Sequence, residues 1–246
     1  MNRRIVRTIT LGSLVQLVVL ITTWQALAQA AKAQYPTMAP LDQYLMDRNA
    51  EIALAKSAAP PALSSDANVL VLEKDGYHTA IEGKNGFTCI LERSWGQPID
   101  STNFWNPKVR APICFNPPAV RSILPYTILR TKLILSGLTK AQMVENIQAQ
   151  VASGLLPIPE PGAMSYMMSK DQDLDGSGGH WLSHLMFHLP RMSAASWGAN
   201  LDGSPVVVDT FHHDLGPEPE TIFMVPVDHW SNGTSAMPDD SASHQH

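Results

Sequence analysis

Residues 68–92 read NVLVLEKDGYHTAIEGKNGFTCILE, and this stretch decides the fold class. Short apolar runs alternate with glycine turns at Asp75-Gly76 and Asn85-Gly86. Asn-Gly supplies the two positive φ values that a tight type I′ hairpin turn requires. The pattern therefore predicts a three-stranded antiparallel meander. The predicted strands lie near residues 69–72, 77–82 and 87–92.

Helical patterns flank this predicted meander. Residues 41–58 are rich in alanine with partial 3.6-residue periodicity, and Pro60-Pro61 stops them, which predicts an N-terminal helix. A second helix is predicted to open at Asn116-Pro117 and to run, kinked at Pro125, to residue 137. Thr139 and Gln142 have capping-box spacing and predict the start of a third helix.

The C-terminal half returns to strand-like runs separated by turns rich in Gly, Asp and Pro. The predicted strands lie near residues 164–169, 181–189, 206–211 and 222–227. The fold class predicted from the whole pattern is α+β. It comprises antiparallel sheet, an N-terminal helix, a pair of central helices and one disulfide.

The first 30 residues have the layout of a secretory signal peptide. Three arginines (Arg3, Arg4 and Arg7) precede an apolar stretch over residues 9–24, and small-residue sites follow near residues 26–30. An uncleaved anchor is the alternative, although Gly12, Ser13 and Gln16 interrupt the apolar stretch and a spanning helix needs about 20 apolar residues. We expect a signal peptide over residues 1–30, a single α+β domain over 31–230 and a disordered polar tail over 231–246. The expected location is secreted or periplasmic.

The charge of the chain is acidic. Its 246 residues include 17 Lys and Arg against 22 Asp and Glu, with a pI near 5.9. Removing the three leader arginines leaves 14 basic residues against 22 acidic residues, a formal charge of minus eight. Nucleic-acid binding depends on basic residues that neutralise phosphates, so it is not expected. No membrane span is expected after signal removal.

The two cysteines, Cys89 and Cys114, predict one disulfide in an exported chain. A catalytic thiol is the alternative, but it requires a paired base and a local signature, and neither is apparent.

Six segments resemble an uncharacterised group of secreted bacterial proteins. They are AEIALAKSAAP (50–60), NGFTCILERSW (85–95), FWNPK…ICFNP (104–117), PEPGAMSYMMS (159–169), HLMF (184–187) and WGAN…GSPV (197–206). The resemblance covers most of the mature chain and implies export and a single domain, with no activity to transfer. The group has His-Trp-His-Pro-His where this chain has HWLSH at 180–184, and this departure counts against a required metal cluster.

Histidines and a nearby aspartate form the first candidate site, for a transition metal. They are His180, His184, His188, Asp209 and His212. Spacing of four places the first three on one face of a helix or of a strand. On a strand the outer two lie roughly 26 Å apart, too far for one metal ion. On a helix His184 and His188 have HExxH spacing, but Leu185 occupies the position of the catalytic glutamate.

An acidic loop forms a second candidate site, for Ca²⁺. Asp171, Asp173, Asp175 and Gly176 match positions 1, 3, 5 and 6 of an EF-hand loop. Position 12 is Leu182 instead of the bidentate glutamate. A solvated acidic turn is the alternative.

An aromatic loop forms a third candidate site. Trp95, Asn103, Trp105 and Asn106 combine flat apolar faces with amides, a composition that suits a sugar or another flat ligand. The alternative is that these aromatics cover the end of the sheet.

Common hydrolase and phosphate motifs, such as GxSxG, HExxH and Walker A, are absent, although a triad dispersed along the chain escapes such a search. The sequence therefore favours an exported, non-catalytic domain that binds a small ligand or a protein partner. The alternative is a metal-dependent hydrolase that uses His184 and His188 with His212 or Asp209.

Overall fold

Strands β1 (Asn68–Glu73) and β2 (Gly76–Ile81) form the first hairpin of the computed structural model, which describes residues 35–178, 181–208 and 217–236. Their antiparallel pairing runs from Val69 opposite Ile81 to Glu73 opposite Gly76. The hairpin predicted around Asp75-Gly76 is confirmed.

Strand β3 (Thr88–Glu92) corrects the predicted meander. It pairs with β1 in the parallel direction, on the side of β1 away from β2. Gly83 explains how the chain reaches that side: its N–H donates to Asn68 Oδ1 at 2.9 Å, and a Cβ on it would lie 2.3 Å from the carbonyl carbon of Ala67. Because Gly83 has no side chain, the connection can cross over the end of β1 instead of turning back beside β2.

The remaining strands complete one eight-stranded sheet among the described residues. They are β4 (Ala111–Phe115), β5 (Met164–Met167), β6 (His184–Pro190), β7 (Val207–Val208) and β8 (Glu220–Pro226). The strand order is β2-β1-β3-β4-β5-β6-β8-β7, and every neighbouring pair except β1–β3 is antiparallel.

Five α-helices accompany this sheet in the described part of the chain. They are α1 (Arg48–Lys56), α2 (Pro61–Ser64), α3 (Pro117–Ser122), α4 (Leu124–Leu135) and α5 (Lys140–Ala152). Short 3₁₀ turns cover Leu41–Gln43, Ser94–Gly96 and Ala194–Trp197. The predicted α+β class is therefore confirmed. None of the described helices is long and apolar enough to cross a membrane.

Local capping explains where the helices begin and end. The predicted N-terminal helix is divided, because the Asp47 side chain accepts from the N–H groups of Asn49 and Ala50 and starts α1 there. The predicted kink at Pro125 appears as the break between α3 and α4. The predicted capping box of Thr139 and Gln142 is present at the start of α5.

The disulfide lies on the face of the sheet that α1 covers. Cys89 of β3 and Cys114 of β4 are directly opposite in the antiparallel register and are bonded, as predicted. Both side chains are buried with small residues of the α1 region, including Ala55 and Ala58.

The opposite face of the sheet lies against α3 and α4. Ala119 and Ile123 are buried there with Ile113 and Phe115 of β4. A second cluster contains Trp95 and Phe104 together with Ile134 of α4 and Met143 of α5. The face of the sheet next to α3 and α4 therefore holds larger apolar side chains than the face that α1 covers.

The expected disordered tail began at residue 231, but residues 231–236 form a hydrogen-bonded turn. The N–H of Ser231 donates to Met168 O, and that of Ala236 donates to Asp228 O. Residues 237–246 and the expected signal peptide lie outside the described residues.

Candidate functional site

A concave space of about 800 Å³ lies between the sheet and α4, and we call it the sheet cleft. Its floor consists of side chains from four strands: Ile113, Phe115, Met167, Met186, Ile222 and Met224. Its walls include Tyr126, Thr127 and Arg130 of α4, and the loop residues Gly96, Gln97 and Pro98. A volume of this size lies within the range of roughly 300–1,000 Å³ that small-molecule sites occupy.

Strand register places the floor residues on one face. Phe115 is opposite Ser165, Ser165 is opposite Met186, and Met186 is opposite Met224. Directly paired residues of neighbouring antiparallel strands point to the same face, and alternate residues along a strand share that face. His184 and His188 of β6 and Glu220 of β8 therefore belong to the face that forms the cleft floor.

Ser165, His188 and Glu220 form a hydrogen-bonded array in this floor. Ser165 Oγ lies 2.9 Å from His188 Nε2, and Glu220 Oε2 lies 2.9 Å from His188 Nδ1. A carboxylate only accepts, so Nδ1–H donates to Glu220. The tautomer that carries its one proton on Nδ1 accepts the Ser165 hydroxyl at Nε2. Ser165 and His188 are buried, and the Glu220 side chain is 11% exposed.

This array has the connectivity of a nucleophile, a base and an orienting carboxylate. Nothing in the sequence indicated it, because its members lie on three strands and no motif joins them. Of the three residues, the sequence pattern singled out only His188, as a metal ligand.

A buried ion pair forms part of the cleft wall beside the array. Arg130 Nη2 donates to Glu218 Oε2 at 2.8 Å, and Arg130 Nε donates to Glu218 Oε1 at 2.5 Å. The remaining nitrogen, Nη1, donates to the carbonyls of Trp95 and Gln97. Burial by itself lowers the pKa of Arg130, but the nearby carboxylates, Glu218 first, raise it above the usual value.

A carboxylate and a second arginine lie at the β3 end of the cleft. Thr127 Oγ1 donates to Glu92 Oε1 at 2.8 Å. Arg93 is fully buried, and its Nη2 donates to Glu51 Oε2 at 2.7 Å. Its other donors go to the carbonyls of Tyr44 and Leu91. The Arg93 charge is therefore matched from within the protein.

The predicted metal ligands are only partly within the described residues. His180, Asp209 and His212 lie outside them. His184 lines the cleft, and its Nδ1–H donates to Leu182 O at 2.6 Å. His184 and His188 lie on a strand, and both ring nitrogens of His188 have protein partners. Over the described part of the chain, no three His, Cys, Asp or Glu side chains are grouped to hold a metal ion.

The predicted calcium ligands cap a turn. Asp173 accepts from the N–H groups of Gly176 and Gly178, and Asp175 accepts from that of Ser177. The hydrogen bonds from Ser177 lower the pKa of Asp175. Asp171 is exposed. Asp173 and Asp175 therefore satisfy backbone N–H groups, and among the described residues these carboxylates do not form a group of three that could hold a metal ion.

The predicted aromatic binding loop is folded into the core. Trp95 is 1% exposed, and its Nε1–H donates to Thr131 Oγ1. Asn106 is buried and donates to Asp175 O, while Asn103 and Trp105 are half-buried. Trp95 and Asn106 therefore offer no exposed face, a correction to the aromatic-platform hypothesis. Trp95 instead packs in the apolar cluster that contains residues of α4 and α5, because burial removes its ring from water.

An aromatic residue outside the predicted sites lies at the cleft. The Trp181 ring is 42% exposed and packs edge-on against His184, with 4.8 Å between ring centroids.

No family, curated protein or solved structure was found to match this chain.

Proposed function

We propose that the protein is an exported, non-catalytic domain that binds a small ligand in the sheet cleft. The observation that carries this proposal is the cleft itself: about 800 Å³ of concave space over an apolar floor, with a few polar groups held in place by buried hydrogen bonds. This combination is typical of small-molecule sites.

The cationic start and apolar stretch of residues 1–30 support export. The Cys89–Cys114 disulfide also supports it, because disulfides persist in oxidising compartments. We therefore propose a secreted or periplasmic location.

Nile red, a neutral apolar dye, tests the binding proposal. We expect saturable fluorescence enhancement with the wild-type protein and its loss in Met186→Trp, which fills the centre of the cleft floor. Leu155→Trp is the matched control, because Leu155 is 74% exposed and does not line the cleft. Circular dichroism confirms that both variants fold. Absence of saturable binding, or equal binding by folded Met186→Trp, contradicts the proposal.

Hydrolysis is a second candidate function, favoured by the Ser165–His188–Glu220 array. In this chemistry Ser165 Oγ attacks an acyl carbonyl while His188 takes the hydroxyl proton, and Glu220 stabilises the imidazolium. The bond from the acyl carbon to the leaving group then breaks, and His188 gives that proton to the leaving group. Water, deprotonated by His188, releases the acyl group from Ser165 as a carboxylic acid. Ser165 is fully buried, so the reaction requires the floor to open, whereas binding requires no such change. Binding is therefore proposed first.

A fluorophosphonate probe separates the two functions, because it labels activated serines covalently. Hydrolysis predicts labelling at Ser165 that is lost in His188→Ala and kept in Ser169→Ala, a buried serine outside the array. An unlabelled wild-type protein refutes the serine mechanism and leaves the binding proposal standing.

The metal-dependent alternative uses His184 and His188 with His212 or Asp209, and the last two residues lie outside the described part of the chain. Native mass spectrometry of the exported protein, before and after chelation, tests this alternative. It also reports the cleavage site and the disulfide. A stoichiometric metal ion that chelation removes favours the metal enzyme, and a bare mass short of two hydrogens argues against it.

A further inference from the structure

Three methionines, Met167, Met186 and Met224, lie side by side in the floor of the sheet cleft, and we call them the floor methionines. Met186 is directly opposite Met224, and Met167 is directly opposite His184. His184 and Met186 are alternate residues of β6, so all four side chains share one face of the sheet. Cβ atoms of directly paired residues lie about 4.5–5.5 Å apart, and alternate residues of a strand lie about 6–7 Å apart. The register therefore brings three thioethers and one imidazole together.

The floor methionines are buried within the protein and yet line open space. Met167, Met186 and Met224 are 6%, 9% and 8% exposed, and all three line the cleft. Met143 provides the contrast: it is 0% exposed in the second apolar cluster and does not line the cleft, as is usual for a methionine that fills a gap in a core. An ion that enters the cleft can therefore reach the floor thioethers.

The donor atoms of this group select a soft metal ion. Thioether sulfur is a soft ligand that suits Cu(I), and imidazole also suits copper. Ca²⁺ and Mg²⁺ take oxygen ligands instead. Both cysteines form the disulfide, so the chain offers no thiolate. In the part of the chain that the structure describes, no three His, Cys, Asp or Glu side chains are grouped to hold a metal ion, so a site here depends on thioether sulfur.

His184 has the tautomer that a metal ligand needs. A carbonyl only accepts, so Nδ1–H donates to Leu182 O at 2.6 Å, and the tautomer with one proton has its lone pair on Nε2. Metal-ligating histidines usually donate their other ring N–H to a carbonyl or a carboxylate, which fixes the orientation of the ring. His188 differs, because its two ring nitrogens are hydrogen-bonded to Ser165 and Glu220.

We propose that the floor of the sheet cleft binds one Cu(I) ion through the three floor methionines, with His184 Nε2 as a fourth ligand. This inference goes beyond the proposed binding of an organic ligand and does not depend on it. The thioethers are uncharged and the surrounding side chains are apolar, so the monovalent ion is favoured over ions of higher charge.

Competition for Cu(I) with the chelator bicinchoninate tests this proposal in the exported protein. Ascorbate under argon keeps the copper reduced and leaves the disulfide intact. We expect the wild-type protein to bind one Cu(I) per chain. The triple variant Met167→Leu, Met186→Leu and Met224→Leu should bind Cu(I) at least about 100-fold more weakly, because it lacks the three sulfur ligands. Leucine conserves the side-chain volume, so we expect this variant to fold, and circular dichroism checks this.

A second triple variant is the matched control. It replaces three methionines that do not line the cleft: Met38→Leu, Met143→Leu and Met192→Leu. Its Cu(I) affinity should equal that of the wild-type protein. His188→Gln should also keep the ion, because the proposed site does not use His188. This variant separates the thioether site from a metal enzyme that uses both His184 and His188.

X-ray absorption at the copper edge identifies the ligands in the wild-type protein and does not depend on the folding of any variant. We expect sulfur neighbours together with nitrogen. A copper ion surrounded by nitrogen and oxygen alone would overturn the proposal.

The binding results can also overturn it. Failure of the wild-type protein to compete with bicinchoninate does so, and so does equal Cu(I) affinity in the folded triple variant of the floor methionines. Loss of Cu(I) from folded His188→Gln assigns the ion to the histidines and has the same consequence. The Nile red titration bears on organic-ligand binding alone, so the two proposals can fail independently.

Discussion

Arg93 and Glu51 show how a buried charge is accommodated at the scale of single residues. Their side chains are 0% and 1% exposed, and 2.7 Å separates Arg93 Nη2 from Glu51 Oε2. Glu51 Oε1 also accepts the N–H of Leu72. The pair therefore joins α1 to the sheet, and each charge depends on the other, because an isolated buried charge is costly.

Arg93→Met should destabilise the protein by about 3–5 kcal/mol, because it leaves the Glu51 carboxylate buried without its partner. The measurement is the free energy of unfolding in urea at pH 7. Arg121→Met is the matched control: Arg121 pairs with Glu160 at the surface, where solvent screens the charges, and its loss should change stability little. Equal effects of the two substitutions would contradict this account of the buried pair.

The crossover from β2 to β3 is the decisive feature at the scale of elements. It carries the chain past β1, so that β3 pairs on the far side, and Asp66 O accepts the N–H groups of Lys84 and Asn85 along the way. Gly83 lies against the start of β1. A Cβ on Gly83 would lie 2.3 Å from the carbonyl carbon of Ala67 and 2.6 Å from the backbone nitrogen of Asn68.

Gly83→Ala should therefore destabilise the protein by about 3 kcal/mol, the upper end of the usual cost of overpacking. Gly137→Ala is the comparison: Gly137 has a φ of 81° and open space where a Cβ would lie, so only backbone strain of about 1–2 kcal/mol is expected. Thermal melts monitored by circular dichroism compare the two. A smaller effect at Gly83 than at Gly137 would show that the crossover tolerates a side chain.

Three tyrosines tie distant segments together at the scale of the whole molecule. Their hydroxyls donate to backbone carbonyls: Tyr44 to Trp105, Tyr77 to Leu91 and Tyr126 to Pro157. Burial raises the pKa of all three. The folded protein therefore holds these protons at a pH where the unfolded chain loses them.

Stability should consequently fall at alkaline pH. Below the ordinary tyrosine pKa of about 10, folded and unfolded states hold the same tyrosine protons and this contribution is complete. As the pH rises above that value, the unfolded state binds fewer protons, so the free energy of unfolding decreases. Absorbance at 295 nm should show these three tyrosines ionising together with the loss of the circular dichroism signal. Tyr77→Phe should make the decline less steep, and ionisation of all five tyrosines before unfolding would refute the prediction.

Local chemistry in the sequence determined the elements whose signals are short in range. Asp75-Gly76 specified a hairpin, Thr139 and Gln142 a helix start, and Pro125 a helix break, because each acts on its own turn of backbone. The two cysteines specified their own pairing, since there was one partner for each. The hairpin, the helix start and the helix break were predictable because each depends on residues close in sequence. The disulfide was predictable because two cysteines allow only one pairing.

Tertiary structure alone decided the strand order and the candidate site. Asn85-Gly86 suggested another hairpin, but pairing of β3 with β1 overrode that local preference. Trp95 lies in a loop and is nevertheless buried, because it fills the space between α4 and Tyr44. Ser165, His188 and Glu220 come together only because β5, β6 and β8 are neighbours in the sheet. Contacts between residues far apart in sequence depend on the register of the whole sheet, and no local pattern encodes that register.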